Sequence, residues 1–232
     1  MSIKKLAIFV EGKTELIFVE KLVEEMAGIY NVEIQKRVLQ GQNRCPFIEE
    51  FNDLDSQYKI RIYNSCNDAK VLSDIKENYQ ALLSKDFFTI IGLRDLYPIA
   101  YDKKERIQNG LTTLLVNENL NYTKMILAVM EIETWFIAEF NHYQNLDKHL
   151  TLEEIMRVID LRNIENFERE ISHPANTLNN IYQLINKHWT KSEKQIRRTV
   201  EAIDYENLYL HTKEKVPSLK ELIDTLDEFF SR

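Results

Sequence analysis

Hydrophobic positions along this chain alternate between two periods. Residues 5–10 (KLAIFV) form a short apolar run closed by Glu11-Gly12. In the ELIFVEKLVEEM stretch that follows, Leu16, Phe18, Val19, Leu22, Val23 and Met26 recur at helical spacing, which predicts an amphipathic helix. Thr14 is placed to cap it, with Glu15 in its first turn facing the positive end of the dipole. Alternation predicts a second strand over 31–39 (NVEIQKRVL), and an edge strand is expected around 59–63. GQNRCP at 41–46 reads as a loop. Helices are predicted at 68–84 and 102–118, each followed by an apolar strand, FFTIIGL at 87–93 and KMILAVM at 124–130. From Trp135 onward the pattern is almost wholly helical, with breaks near 143–151, at His173-Pro174 and at Val216-Pro217. This order argues for an α/β fold: a mostly parallel sheet of about four principal strands flanked by helices, with a C-terminal helical lobe. The expected division is 1–140 for the sheet domain and 141–232 for the lobe packed on it.

Composition narrows the class. The 232 residues carry 30 Lys+Arg against 37 Asp+Glu, a net charge of −7. With 44% hydrophobic residues the chain can bury a core, so wholesale disorder is excluded. Only five Gly and four Pro are present, so elements run long between short connections. No apolar run approaches the roughly 20 residues of a membrane span, and the N-terminal run reads as a first strand, not a signal peptide. Cys45 and Cys66 are too few for a thiolate metal site or a disulfide framework. A cytoplasmic, soluble protein is expected.

The candidate chemistry lies where strands end. Glu11, Asp95 and Glu131 each fall at or within two residues of the end of a predicted buried strand, and Glu133 follows closely. In an open parallel sheet the carboxyl ends share one edge, where ligands bind. Carboxylates gathered there repel one another unless a cation joins them, and hard oxygen ligands select Mg²⁺ or Mn²⁺. The chemistry such an ion serves is phosphodiester hydrolysis or transfer. Taken singly, each acid also reads as a turn residue or a first-turn helix charge.

Val10-Glu11-Gly12-Lys13-Thr14-Glu15, with Phe18 behind it, resembles the opening of a Toprim domain. The VEGxTE form is similar to that of small stand-alone, defence-associated Toprim nucleases encoded beside an ABC-type ATPase, relatives of the overcoming-lysogenization-defect nucleases. Asp95-Leu96-Tyr97 resembles that family's strand-end element, and Glu131-Ile132-Glu133-Thr134-Trp135-Phe136 its helix entry. His173-Pro174-Ala175-Asn176 stands where the small proteins carry a Pro-Ser-Lys-type segment, and Trp189-Thr190-Lys191 resembles their Tyr-x-Lys. Three positions depart from the pattern: Tyr97 replaces the second Asp of Asp-x-Asp, Pro98 the usual Gly, and Asn176 a basic residue. The resemblance implies a Toprim-like fold and a metal-dependent nuclease acting on DNA or RNA, the effector of an anti-phage defence system with an ATPase partner. It leaves room for a homodimer. It makes Glu11, Asp95, Glu131 and Glu133 the ligands of Mg²⁺ or Mn²⁺ and catalytic residues together with Lys191. Gly12, lacking a Cβ, would let the backbone approach a phosphate. The alternative is a catalytically degenerate Toprim-like module that binds a partner ATPase or nucleic acid without cleaving.

Lys187, Lys191, Lys194 and Arg198 are spaced i, i+4, i+7, i+11. On one helix they form a stripe suited to phosphates, or a plain solvated face. Lys191 is the expected contact to the scissile phosphate. The five histidines show no ligand spacing, and the chain holds no GxxxxGK[ST] loop, so ATP hydrolysis by this chain is not expected. Trp135, Phe136 and Phe140 read as core rather than as a base-stacking platform.

Overall fold

The computed structural model describes residues 3–39, 51–53, 55–160 and 164–231. The expected loop at 41–46, with Cys45, lies outside the described residues. The chain divides into two compact units: Met1–Arg94, Glu105–Leu127 and Leu226–Arg232 form the first, Asp95–Lys104 and Ala128–Thr225 the second.

Five strands, β1 (Lys4–Val10), β2 (Val32–Val38), β3 (Tyr58–Asn64), β4 (Thr89–Asp95) and β5 (Thr123–Ala128), form an all-parallel sheet in the order β2-β3-β1-β4-β5. All but the last residue of β4 and of β5 belongs to the first unit. The three expected buried strands are neighbours, with Ile8 of β1 opposite Ile91 of β4. Their near-continuous burial is what a parallel sheet covered on both faces requires. Helix α1 (Lys13–Ala27) packs against β2 and β3 through Ile17, Phe18, Leu22 and Val23. Helix α2 (Val71–Leu83) turns Val71, Ile75, Tyr79 and Leu82 inward and packs against β1. Gly92 marks the tightest fit: a Cβ there would stand 2.3 Å from Met125 Sδ and 2.8 Å from Ile75 Cδ1. Helix α3 (Lys104–Asn117) connects β4 to β5, burying only Leu111.

Two local expectations are corrected. β3 is not an edge strand but sits between β1 and β2. Its Lys59 and Arg61 are both buried. The Arg61 guanidinium stands 4.7 Å from the Phe51 ring centroid and 5.3 Å from that of Phe87, and its Nε donates to Gln35 Oε1 at 3.0 Å. Stacking and hydrogen bonding replace the water such a cation would otherwise need. Thr14 is not the cap of α1 either; Gly12 holds that position, and Thr14 is buried in the first turn.

The second unit is built from short helices: α4 (Glu133–Ala138), α5 (Asn141–Leu146), α6 (Leu152–Ile155), α7 (Phe167–Glu170), α8 (Pro174–Gln183), α9 (Glu193–Ala202), α10 (Tyr205–Leu210) and the start of α11 (Pro217–Ser231). Trp135 and Phe136 are fully buried, as expected, and Phe140 is half-buried. At the centre lies a polar network. The buried Glu139 carboxylate accepts from the backbone amides of Asn141, His142 and Asp204 and from Asn207 Nδ2. His142 is enclosed, its Nδ1 2.5 Å from the Glu139 carbonyl oxygen and its Nε2 3.1 Å from Tyr182 Oη. An Nδ1–H tautomer satisfies both contacts, donating to the carbonyl and accepting from the tyrosine.

Burial drives the His142 pKa down to about 4 from 6.5, against the pull of the Glu139 carbonyl. The unfolded chain therefore binds a proton at His142 between about pH 6.5 and pH 4 that the folded chain does not, and stability rises with pH across that window. At about 1.4 kcal/mol per pH unit, acidification through it should cost about 3 kcal/mol from this residue. Denaturant titrations at stepped pH test this. His142→Gln should flatten the curve between those limits, and parallel curves for variant and wild type would assign the slope to other groups.

Candidate active site

The acids singled out in the sequence fall on both units. Glu11 and Gly12, in the first, follow β1 directly and lead into α1. Gly12 is extended backbone, so its value lies in space rather than in φ. A Cβ at Gly12 would stand 3.0 Å from Glu15 Oε2, so a carboxylate lies against the α-carbon where the sequence reading expected a phosphate. Glu15, in the first turn of α1, is itself buried.

Asp95, Glu131, Glu133 and Lys191 belong to the second unit. Asp95 is the buried last residue of β4. After β5 the chain turns through Met130, whose φ of 62° lies in the left-handed region, and then presents Glu131 and Glu133, the latter opening α4. Lys191 Nζ lies 2.9 Å from Glu131 Oε1 and 3.0 Å from Glu133 Oε1. Trp189 Nε1 donates to the same Glu133 oxygen at 3.1 Å, and the Ala175 amide, in the first turn of α8, donates to Glu131 Oε2 at 3.3 Å. The Glu133 side chain is fully enclosed, and its Oε2 has no hydrogen-bond partner among the described residues.

The electrostatics follow from that geometry. Burial raises the Glu133 carboxyl above its usual range, with the Lys191 charge working the other way and Glu131 adding to the rise. Burial alone would lower the Lys191 ammonium, but the attraction of Glu133 and the hydrogen bond to Glu131 outweigh it and hold the amine firmly protonated. Lys191 adopts φ 56°, a left-handed conformation uncommon for a residue with a Cβ. Two short ion pairs accompany that conformation.

The basic stripe is corrected. Helix α9 begins at Glu193, where Ser192 and Gln195 form a capping box. Lys187 and Lys191 therefore precede it, and only Lys194 and Arg198 share the helix. Lys187 donates to the Leu146 carbonyl and stands 3.8 Å from Asp147 Oδ2. Arg198 donates to the His188 carbonyl and lies over the Tyr182 ring at 5.4 Å. Lys191 faces the acids instead of lining up with the other cations.

Sequence reasoning did not anticipate the indole. Trp189 is buried between Phe136 and Tyr182, with its backbone amide held by Asn179 Oδ1. A tryptophan two residues before a lysine that must return to an acid pair is the signal that marks it. Among the described residues no three His, Cys, Asp or Glu side chains are grouped to hold a metal ion. Glu131 and Glu133 are acids that the structure does bring together, with Lys191 Nζ within 3.0 Å of both. No protein-family model matches the chain, and neither a curated protein nor a solved structure matches it.

Removing the ammonium leaves Glu133 enclosed without a countercharge. Lys191→Met should destabilise the folded chain by about 2 kcal/mol at neutral pH, below the range for a fully buried pair because the lysine is partly exposed. Adding Glu133→Gln to that variant should recover most of the loss. Guanidinium unfolding of the single and double variants checks the sign, and additive losses would show that the two groups are not coupled.

Proposed function

We propose that this chain is a metal-dependent nuclease of Toprim type, cleaving DNA or RNA phosphodiesters as the effector of an anti-phage defence system with an ATPase partner. The observation that supports this most is the enclosed Glu133 carboxylate beside Glu131, with one oxygen unsatisfied and an ammonium already drawn to the pair. Perturbed carboxylates of this kind concentrate at functional sites. The sheet supports the same reading, since Asp95 ends a parallel strand and Glu131 follows another, the position at which α/β folds bind ligands.

On this reading Glu131 and Glu133 would hold Mg²⁺ or Mn²⁺, which takes only one or two carboxylates beside water and substrate oxygens, while Asp95 and Glu11 keep the roles that their sequence motifs imply. The ion, when bound, supplies an activated water and stabilises the departing oxygen. Trp189 fixes the orientation of Glu133 through one oxygen and leaves the other available. The Ala175 amide holds Glu131 through Oε2, and the Glu131 Oε1 is taken by Lys191. Lys191 keeps the two carboxylates together and carries the positive charge closest to them, the charge a phosphate oxygen would meet. The second reading, a module that binds without cleaving, draws support from the same ammonium, which leaves the pair already balanced.

The test combines cleavage and metal binding. Wild type is incubated with plasmid, single-stranded DNA and total tRNA in Mg²⁺, Mn²⁺ or EDTA, with the ATPase partner supplied. Glu11→Gln should lower cleavage by about 10²-fold or more while leaving nucleic-acid affinity nearly unchanged. Lys191→Met, titrated with Mn²⁺ by calorimetry, should bind the ion about tenfold more tightly, an effect of about 1.4 kcal/mol. If Glu11→Gln and wild type behave alike with every substrate, the catalytic reading is abandoned. If Lys191→Met leaves Mn²⁺ affinity unchanged, the acid pair is not the cation site.

A further inference from the structure

A second charged feature lies within the same unit and has no part in the acid pair. An open cleft of about 1100 Å³ is lined by Lys187, His188, Lys194, Arg197 and Arg198, and Lys191 is not among its lining residues. The cations come from two pieces of backbone. Lys187 and His188 lie on the turn after α8, and Lys194, Arg197 and Arg198 lie on the first turns of α9. Asn145 and Asn186 contribute uncharged amides to the same wall.

The charge balance is positive. Four fixed cations stand against the carboxylates of Glu193 and Glu201, and Glu193 is occupied by Arg197 at 3.0 Å. Lys194 is exposed and forms no ion pair among the described residues. Lys187 holds only the Leu146 carbonyl and a distant Asp147. Arg198 is pre-set by its bond to the His188 carbonyl and by the Tyr182 ring, with further guanidinium donors to offer. On a chain of net charge −7 this is a local concentration of positive potential.

Its size and lining narrow the ligand. The volume stands at the upper end of the roughly 300–1,000 Å³ of small-molecule pockets, and most lining side chains are charged or polar, with Leu146 and Ala202 apolar. Lys194 and Arg198 are one helical turn apart, about 5.4 Å, which suits successive charges along a chain better than one compact anion. The exposed His188 ring and the two amides are groups that stack on and hydrogen-bond to unpaired bases.

We propose that this cleft holds the phosphate backbone of a single-stranded nucleic-acid segment, with Lys187, Lys194 and Arg198 as its phosphate contacts. The proposal rests on the nuclease reading for the identity of the polyanion, not for the existence of the site. It also separates two tasks that the sequence pattern had merged, since Lys191 belongs to the acids and the other three to the strand.

The experiment is fluorescence anisotropy with labelled single-stranded RNA and DNA oligonucleotides, their duplexes and inorganic polyphosphate, all in EDTA so that cleavage plays no part. Three phosphate contacts predict a slope of log affinity against log salt of about −2, from about −0.7 per contact on a single strand. Lys187→Ala and Lys194→Ala should each weaken binding several-fold and flatten the slope by about 0.7. Lys103→Ala, a charge-matched change outside the cleft, should do neither. Circular dichroism of each variant confirms folding, and Lys194→Arg should retain the slope. Tighter binding of duplex or of polyphosphate would overturn the assignment to a single strand. Variants that bind like wild type would overturn the site itself. Cleavage that persists while the cleft variants bind normally would leave the nuclease reading standing and this proposal refuted. Binding lost in the variants of a chain that never cleaves would do the opposite.

Discussion

The second unit depends on buried carboxylates that take up backbone amides. Its helices are mostly four to ten residues long, too short to be stable alone. Each helix start leaves amides without intrahelical partners, and several of these starts are enclosed. Glu139 answers for three such amides, at Asn141, His142 and Asp204. Glu168, fully buried, accepts from the Ser218 amide at 2.7 Å where α11 begins and pairs with Lys104 at 3.2 Å. These glutamates join segments far apart in sequence, so the geometry of the unit is fixed by charge-assisted hydrogen bonds as much as by apolar contact.

Glu131 and Glu133 use the same chemistry with one difference. Glu131 takes the Ala175 amide, as Glu139 takes its own, while Glu133 receives an indole N–H and an ammonium, and its Oε2 has no partner among the described residues. A structural carboxylate in this unit is saturated, as Glu139 shows. Glu133 lies beside a second acid and a lysine in a left-handed conformation. Incomplete satisfaction where the surrounding structure knows how to complete it is the physical ground for reading function at Glu133 and structure at Glu139 and Glu168.

The sheet was legible because its signal is carried by strongly apolar runs. KLAIFV, FFTIIGL and KMILAVM have no other stable place than the centre of a covered parallel sheet, and α2 follows from one apolar face. β3 was misjudged for the opposite reason. Lys59 and Arg61 alternate with apolar residues as on an edge, and only the tertiary stacking of Arg61 on Phe51 and Phe87 makes its burial tolerable. At the site, the positions of the acids after their strands were legible. The direction of Lys191 was not. A periodicity of four assumes one continuous helix, and the Ser192 cap breaks that assumption one residue after the lysine.

That cap has a consequence for how the two charged regions are related. Trp189 to Ser192 is a short turn whose inward side chains, Trp189 and Lys191, both end on Glu133. The residues on either side of the turn, His188 and Lys194, line the cleft. The lining residues His188 and Lys194 are therefore joined to Lys191 by only a few covalent bonds. The energies are of similar size: an ammonium between two partly shielded carboxylates is held by a few kcal/mol, and a handful of phosphate contacts with counterion release supplies a comparable amount at low salt. On the proposed reading, with neither term dominant, Lys191 would exchange with a metal cation at Glu131 and Glu133.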